Sequence, residues 1–184
     1  MPAPRLIPRT KDNPMKNHSL GFALFVILAA TGICADPVAM KEYSYKDTGI
    51  AFSMPQDPKV STDIDKATGL ATHMYLLDKG ESALIISANV YKEFVLENKP
   101  DVFLKSGRDA MLQNMKGKVV SEKKITLAGH PGIEIVFEGD KLHGISRIYV
   151  VGRNLYQLLS ATANGSPLMP GTDQIFDSFH LLKP

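Results

Sequence analysis

The sequence predicts an α+β domain built on an antiparallel sheet covered by helices, and three observations carry that prediction. Runs of alternating apolar and polar residues follow one another with glycine-containing pairs between them, as in Ile145–Val151, Gly152-Arg153 and Leu155–Ala163, the pattern of strands joined by tight hairpins. One stretch, Asn98–Lys118, changes to helical spacing. A short apolar-periodic segment ends the chain, so helices and strands are segregated rather than alternating.

The elements follow in order from Lys41. "KEYSYKDTGIAFSMPQDP" contains a short strand, an Asp-Thr-Gly turn and a second strand ending at Pro55, with Ile50, Phe52 and Met54 on one face. "VSTDID" adds a short extended piece. Ala71–Leu77 and Ala83–Val90 form a pair around Asp78-Lys79-Gly80. In the helix, Val102, Phe103, Ala110, Met111 and Met115 recur at helical spacing. Pro100 falls near its first turn and Asp101 where a negative charge suits the dipole. Gly107 costs this helix about 1 kcal/mol, and Gly117 is the expected stop.

A strand at Lys124–Leu127 and a Gly129–Gly132 turn then lead into a meander. Ile133, Ile135 and Phe137 alternate with Glu134, Val136 and Glu138, giving one apolar face. Gly139-Asp140 is read as the next hairpin turn. A two-residue loop at Gly152-Arg153 sets Tyr149 opposite Tyr156 and Arg147 opposite Leu158. Thr172 is the expected cap of a terminal helix over Asp173–Ser178, whose Ile175, Phe176 and Phe179 fold onto the sheet.

The first 35 residues differ in kind. Arg5, Arg9, Lys11 and Lys16 precede the apolar run Leu20–Ile33, which ends in "CADP", the order of a secretory signal peptide cleaved after Ala35. The run holds 14 residues, short of the roughly 20 that span a bilayer. Cleavage is therefore favoured, an uncleaved tether being the alternative. Met15 offers a second start with a leader of more usual length. The lone cysteine, Cys34, lies in this segment, and Ile33 before it does not suit a lipoprotein site.

Residues 36–184 are then one domain without cysteine, in an export compartment, periplasmic or secreted. Removing the leader's four basic residues and one acid leaves a net charge of −1, and a near-neutral domain carries no electrostatic case for nucleic acid or an anionic membrane.

Candidate chemistry is sparse. His73, His130, His143 and His180 have no ligand partner at i+2 or i+4; His130, in a glycine turn, is the one to follow. Glu134 and Arg147 are near neighbours in one hairpin, either a cross-strand ion pair or a polar anchor for a ligand on the sheet face. No nucleophile elbow or phosphate loop appears. Asp57, Asp63 and Asp65 share a loop without calcium-loop spacing. No catalytic, metal or cofactor set is assigned. Glu134, Arg147, His130, Arg153, Asn154, Tyr149 and Tyr156 are the candidate binding residues, with Arg153 and Asn154 at an exposed hairpin tip.

"GIAFSMPQDP", "LIISANVY", "AGHPGIEI", "RIYVVGRNLYQLLSAT" and "IFDSFHLL" together resemble the PsbP-like family of small exported domains, whose fold is shared with the Ran-binding Mog proteins. The resemblance spans Tyr43 to Leu182 and implies an α/β/α sandwich around a twisted antiparallel sheet. It implies no enzyme activity, since plant and cyanobacterial members are accessory subunits supporting the oxygen-evolving centre of photosystem II. That particular role does not carry over, because "DPVAMKEYSY" has no counterpart of the plant basic arm. Metal binding known for some members rests on positions without a match here.

The expected function is an exported, non-enzymatic accessory domain that binds an envelope protein and assists its assembly or stability. The alternative is a periplasmic carrier of a small apolar or metal ligand held between helix and sheet.

Overall fold

A computed structural model describes residues 39–91 and 99–183; the predicted leader, the Met15 start, Cys34 and the helix start at Asn98 lie outside the described residues. Within them the chain runs β1 (Lys41–Tyr45), β2 (Ile50–Met54), β3 (Lys59–Ile64), β4 (Ala71–Asp78), β5 (Ser82–Val90), α1 (Pro100–Met115), β6 (Gly117–Leu127), β7 (His130–Gly139), β8 (Leu142–Val151), β9 (Asn154–Ala163), α2 (Thr172–Ser178) and β10 (His180–Leu181).

Seven strands form one antiparallel sheet in the order β3-β4-β5-β9-β8-β7-β6, and β1-β2-β10 form a second. Most neighbours in the large sheet are sequential hairpins. The exception is β5 against β9: the chain leaves β5, passes through α1 to the far edge at β6, and meanders back until Ser82 faces Thr162 and Val90 faces Asn154.

Period-two alternation gives this sheet two buried faces. Leu104 and Met111 of α1 pack on Ile133, Ile135, Phe137, Ile148, Val150 and Leu155. On the other face α2 and the small sheet bring Ile50, Phe52, Met54, Ile175, Phe176 and Phe179 against Tyr75, Leu77, Leu84, Ile86, Tyr156 and Leu158. The predicted α+β sandwich is the fold observed. Tyr149 pairs with Tyr156 and Arg147 with Leu158, in the register read from the two-residue loop.

Several boundaries differ. The helix stops on Lys116, whose left-handed φ of 49° lets its N–H reach the carbonyls of Gln113 and Leu112. Gly117 instead opens β6, opposite Gly139. Gly139 is a strand residue rather than a turn: a side chain there would meet the Met115 carbonyl at 2.7 Å, so the helix end passes too close for a Cβ. The turn falls at Asp140 and Lys141.

β6 starts seven residues before the predicted Lys124, because its ladder with β7 runs back to Gly117 opposite Gly139; this outer stretch is exposed and carries no apolar alternation to mark it in the sequence. "VSTDID" belongs to a full edge strand, β3. The turn before β7 is Ala128-Gly129, both with positive φ (49° and 84°), as a type I′ hairpin requires; His130 and Pro131 already lie in β7. Gly171, not Thr172, is the N-cap of α2. The Thr172 hydroxyl donates to the Met169 carbonyl at 2.7 Å and lies 3.0 Å from Ser160 Oγ, stitching the helix start to β9.

Candidate functional site

Side chains of β7 alternate between the two cores, so Glu134 points away from α1 towards the α2 side. Its neighbours across the sheet are Lys123 on β6 and Arg147 on β8. Glu134 Oε1 accepts from Lys123 Nζ and Oε2 from Arg147 Nε, each at 2.7 Å. A guanidinium nitrogen of Arg147 donates on to Asp177 Oδ1 of α2, also at 2.7 Å. The Arg147 guanidinium carbon stands 5.4 Å from the centre of the Phe176 ring. A charged row thus crosses three strands and ends on the covering helix.

Glu134 is 8% exposed. Burial pushes its carboxyl up, but the hydrogen bonds from Lys123 and Arg147 outweigh burial and hold it below the ordinary carboxylate range. Burial pulls the Arg147 guanidinium down, and the bonds to Asp177 and Glu134 more than restore it. A carboxylate with both oxygens engaged by cations is a poor proton acceptor. The geometry makes this row a clamp between sheet and helix.

The adjacent row on the same face is Gly132, Tyr149 and Tyr156. Gly132 is required by close approach, since a Cβ would run into the Tyr149 ring. Tyr149 stacks on Phe179 with centroids 6.2 Å apart, and Tyr156 meets the same ring edge-on at 5.7 Å. Tyr156 Oη donates to the Thr48 carbonyl at 2.6 Å and accepts from Asn154 Nδ2 at 2.7 Å. Thr48 Oγ1 lies 3.1 Å from Tyr75 Oη. This buried relay ties the turn between β1 and β2 to the central strands. Burial raises the phenols of Tyr75, Tyr149 and Tyr156 above their ordinary value.

Of the seven candidate residues, Glu134, Arg147, Tyr149, Tyr156 and Asn154 therefore share one face, and the structure holds them inside the sandwich. Asn154, read as part of an exposed tip, is half-buried and turned towards Tyr156. Arg153 alone of the seven is exposed; its carbonyl accepts from Tyr91 N at 3.0 Å. His130 opens β7, four residues from Glu134 and so roughly 13 Å away along the strand, outside the charged row. Lys123 and Asp177 complete the row and were missed. Reading β6 at its full length would have placed Lys123 beside Glu134, whereas no local signal links Asp177 to Arg147.

The three aspartates do not converge: Asp57 accepts from Lys41 and Tyr43, and Asp65 accepts from the N–H groups of Ala67 and Thr68. Among the described residues no three His, Cys, Asp or Glu side chains are placed to hold a metal. The other face carries a groove of about 390 Å³ beside α1. Phe103, Met111, Leu155 and Leu159 supply apolar walls, and Asn89 and Gln157 supply amides. No helix among the described residues is long and apolar enough to cross a membrane.

The two antiparallel sheets and two helices define a PsbP-like fold. The chain matches the solution structure of PsbP from the cyanobacterium Synechocystis sp. PCC 6803 with a TM-score of 0.52 and 15% identity, over 84% of this chain and 98% of that one. A protein of unknown function from Pseudomonas aeruginosa aligns with a TM-score of 0.40 and 13% identity, over 75% and 91% of the two chains. Neither a protein-family model nor a curated protein matches the sequence. At 15% identity, what the cyanobacterial protein and this chain share is the fold.

Proposed function

We propose that this chain is an exported, non-enzymatic accessory domain that binds another protein of the envelope and assists its assembly or stability. The observation that carries this reading is the fate of the polar candidates: Glu134, Arg147, Asn154 and Tyr156 are engaged with one another and with α2 or Thr48, leaving the outer surface as the working part. The leader pattern supports export, and the PsbP-like fold supports an accessory role by analogy.

Crosslinking the tagged full-length protein in its native envelope, followed by mass spectrometry, tests it, with one reproducible partner as the expected result. Catalytic turnover that disappears on changing Glu134, Arg147 or His130 would overturn it.

A second reading is favoured by the groove beside α1, whose apolar walls and two amides suit a small, mostly apolar ligand. Native mass spectrometry of protein purified from its own cells distinguishes the two. Added mass that is lost on Met111→Trp supports the carrier, and bare protein counts against it.

A further inference from the structure

β3 ends the seven-stranded sheet, and among the described residues no strand lies on its outer side. All six of its residues are exposed. The two ends of the sheet are built differently. β6 carries a register break between Val119 and Ser121 and the lysines 118, 123 and 124, devices that spoil strand addition. β3 runs in unbroken register along β4, and its only lysine, Lys59, stands at its first position.

The direction of its backbone groups follows from the next residue. Asp65 N donates to the Leu70 carbonyl at 2.9 Å, continuing the β3–β4 register. Odd-numbered positions of β3 therefore turn their backbone groups to β4. Because antiparallel bonding alternates, Val60, Thr62 and Ile64 turn theirs outward.

We propose that this edge joins two copies of the chain, β3 pairing antiparallel with its counterpart about a two-fold axis at Thr62, so that the two sheets become one. The sequence selects that register. With Thr62 opposite itself, Val60 (52% exposed) meets the partner's Ile64 (60% exposed), and Lys59 meets the partner's Asp65, twice by symmetry. All three outward pairs bond, giving about six backbone hydrogen bonds. Moving the axis to Ser61 sets Ile64 against Pro58, which has no N–H to give. Moving it to Asp63 sets two like charges face to face. Six residues on a side bury a modest area, which predicts a reversible dimer formed at high local concentration.

The test uses the full chain in a Cys34→Ser background. Oxidised Thr62→Cys is expected to crosslink into a dimer, because facing residues of a bonded pair have Cα atoms about 5.5 Å apart. Lys59→Cys is not, because its two copies lie about 20 Å apart in this register. Sedimentation of the protein without introduced cysteines is expected to show mass doubling with concentration. Thr62→Pro is expected to abolish that doubling while leaving the circular dichroism unchanged, since its lost N–H faces outward. If Thr62→Pro unfolds, the cysteine pair decides. A protein that stays monomeric up to about 1 mM, or equal crosslinking at both positions, overturns the proposal.

Discussion

The charged row on the α2 side makes a graded prediction. Replacing Arg147 by Met strands Glu134, which is 8% exposed and would keep only Lys123, a side chain 66% exposed. Breaking a buried pair costs about 3–5 kcal/mol. The remaining lysine moves this case to the low end, and the lost contact with the Phe176 ring adds about 0.5 kcal/mol. About 3 kcal/mol is expected for Arg147→Met. Asp177→Asn is expected to cost under about 1 kcal/mol, because that carboxylate is 69% exposed. The double variant Glu134→Leu/Arg147→Met removes the stranded charge and is expected to be at least about 1 kcal/mol more stable than Arg147→Met alone.

The chain has no tryptophan, so urea unfolding followed by circular dichroism is the assay. Equal losses for Arg147→Met and Asp177→Asn, or a double variant worse than the single, would refute the clamp. Partner capture in the crosslinking experiment should survive in the double variant if the row only holds α2 in place.

Four further outcomes follow from contacts elsewhere in the sheet and from its buried titratable groups. Gly144→Ala drives a methyl into the Ser160 carbonyl and to 2.8 Å from the Phe137 ring; thermal unfolding should show a loss of about 2–3 kcal/mol. Gly107→Ala meets only ordinary contacts, 3.5 Å from Leu155 and 3.6 Å from Ile148, and should gain about 0.5–1 kcal/mol from helix propensity, seen as a higher Tm. Glu134 has a lowered folded-state pKa, so its stabilisation is complete above the unfolded carboxylate value and is lost as pH falls through the folded one. Glu134→Gln should flatten the acid limb of a stability-versus-pH curve. The raised phenols of Tyr75, Tyr149 and Tyr156 work in the opposite direction. Their contribution is present below the ordinary tyrosine value of 10.0 and lost as pH rises through the folded values, so alkaline unfolding should coincide with tyrosinate absorbance.

The meander was legible because its strands are buried on both faces and separated by turns that need glycine or a polar pair. Alternation in β7 and the short turn after it put Glu134 near Arg147, and the two-residue loop at Gly152-Arg153 set Tyr149 opposite Tyr156. The edges were not legible for the opposite reason. Lys118–Lys124 and Lys59–Ile64 are exposed, so no buried face writes a period into them. The helix stop was misread because a glycine normally takes the left-handed position, whereas here Lys116 takes it and Gly117 opens β6, opposite Gly139. At the site, the pair within one hairpin could be read. Asp177 arrives from 30 residues away on a helix whose placement only the packed core decides.

The pairing of β10 with β2 has a consequence for how the molecule comes into being. His180 lies beside Ala51, Leu181 beside Ile50, and Leu182 N donates to the Gly49 carbonyl at 2.9 Å. The opening hairpin is therefore completed by the closing residues. Until Ile175, Phe176 and Phe179 have been synthesised, the inner face of β2, with Ile50, Phe52 and Met54 at 0% exposure in the finished domain, lacks the part of its cover that α2 supplies. Such distant pairing makes folding slow and cooperative. Shortening the chain by its last five residues would be felt first at its beginning, in protease sensitivity around Phe52 rather than at the cut end.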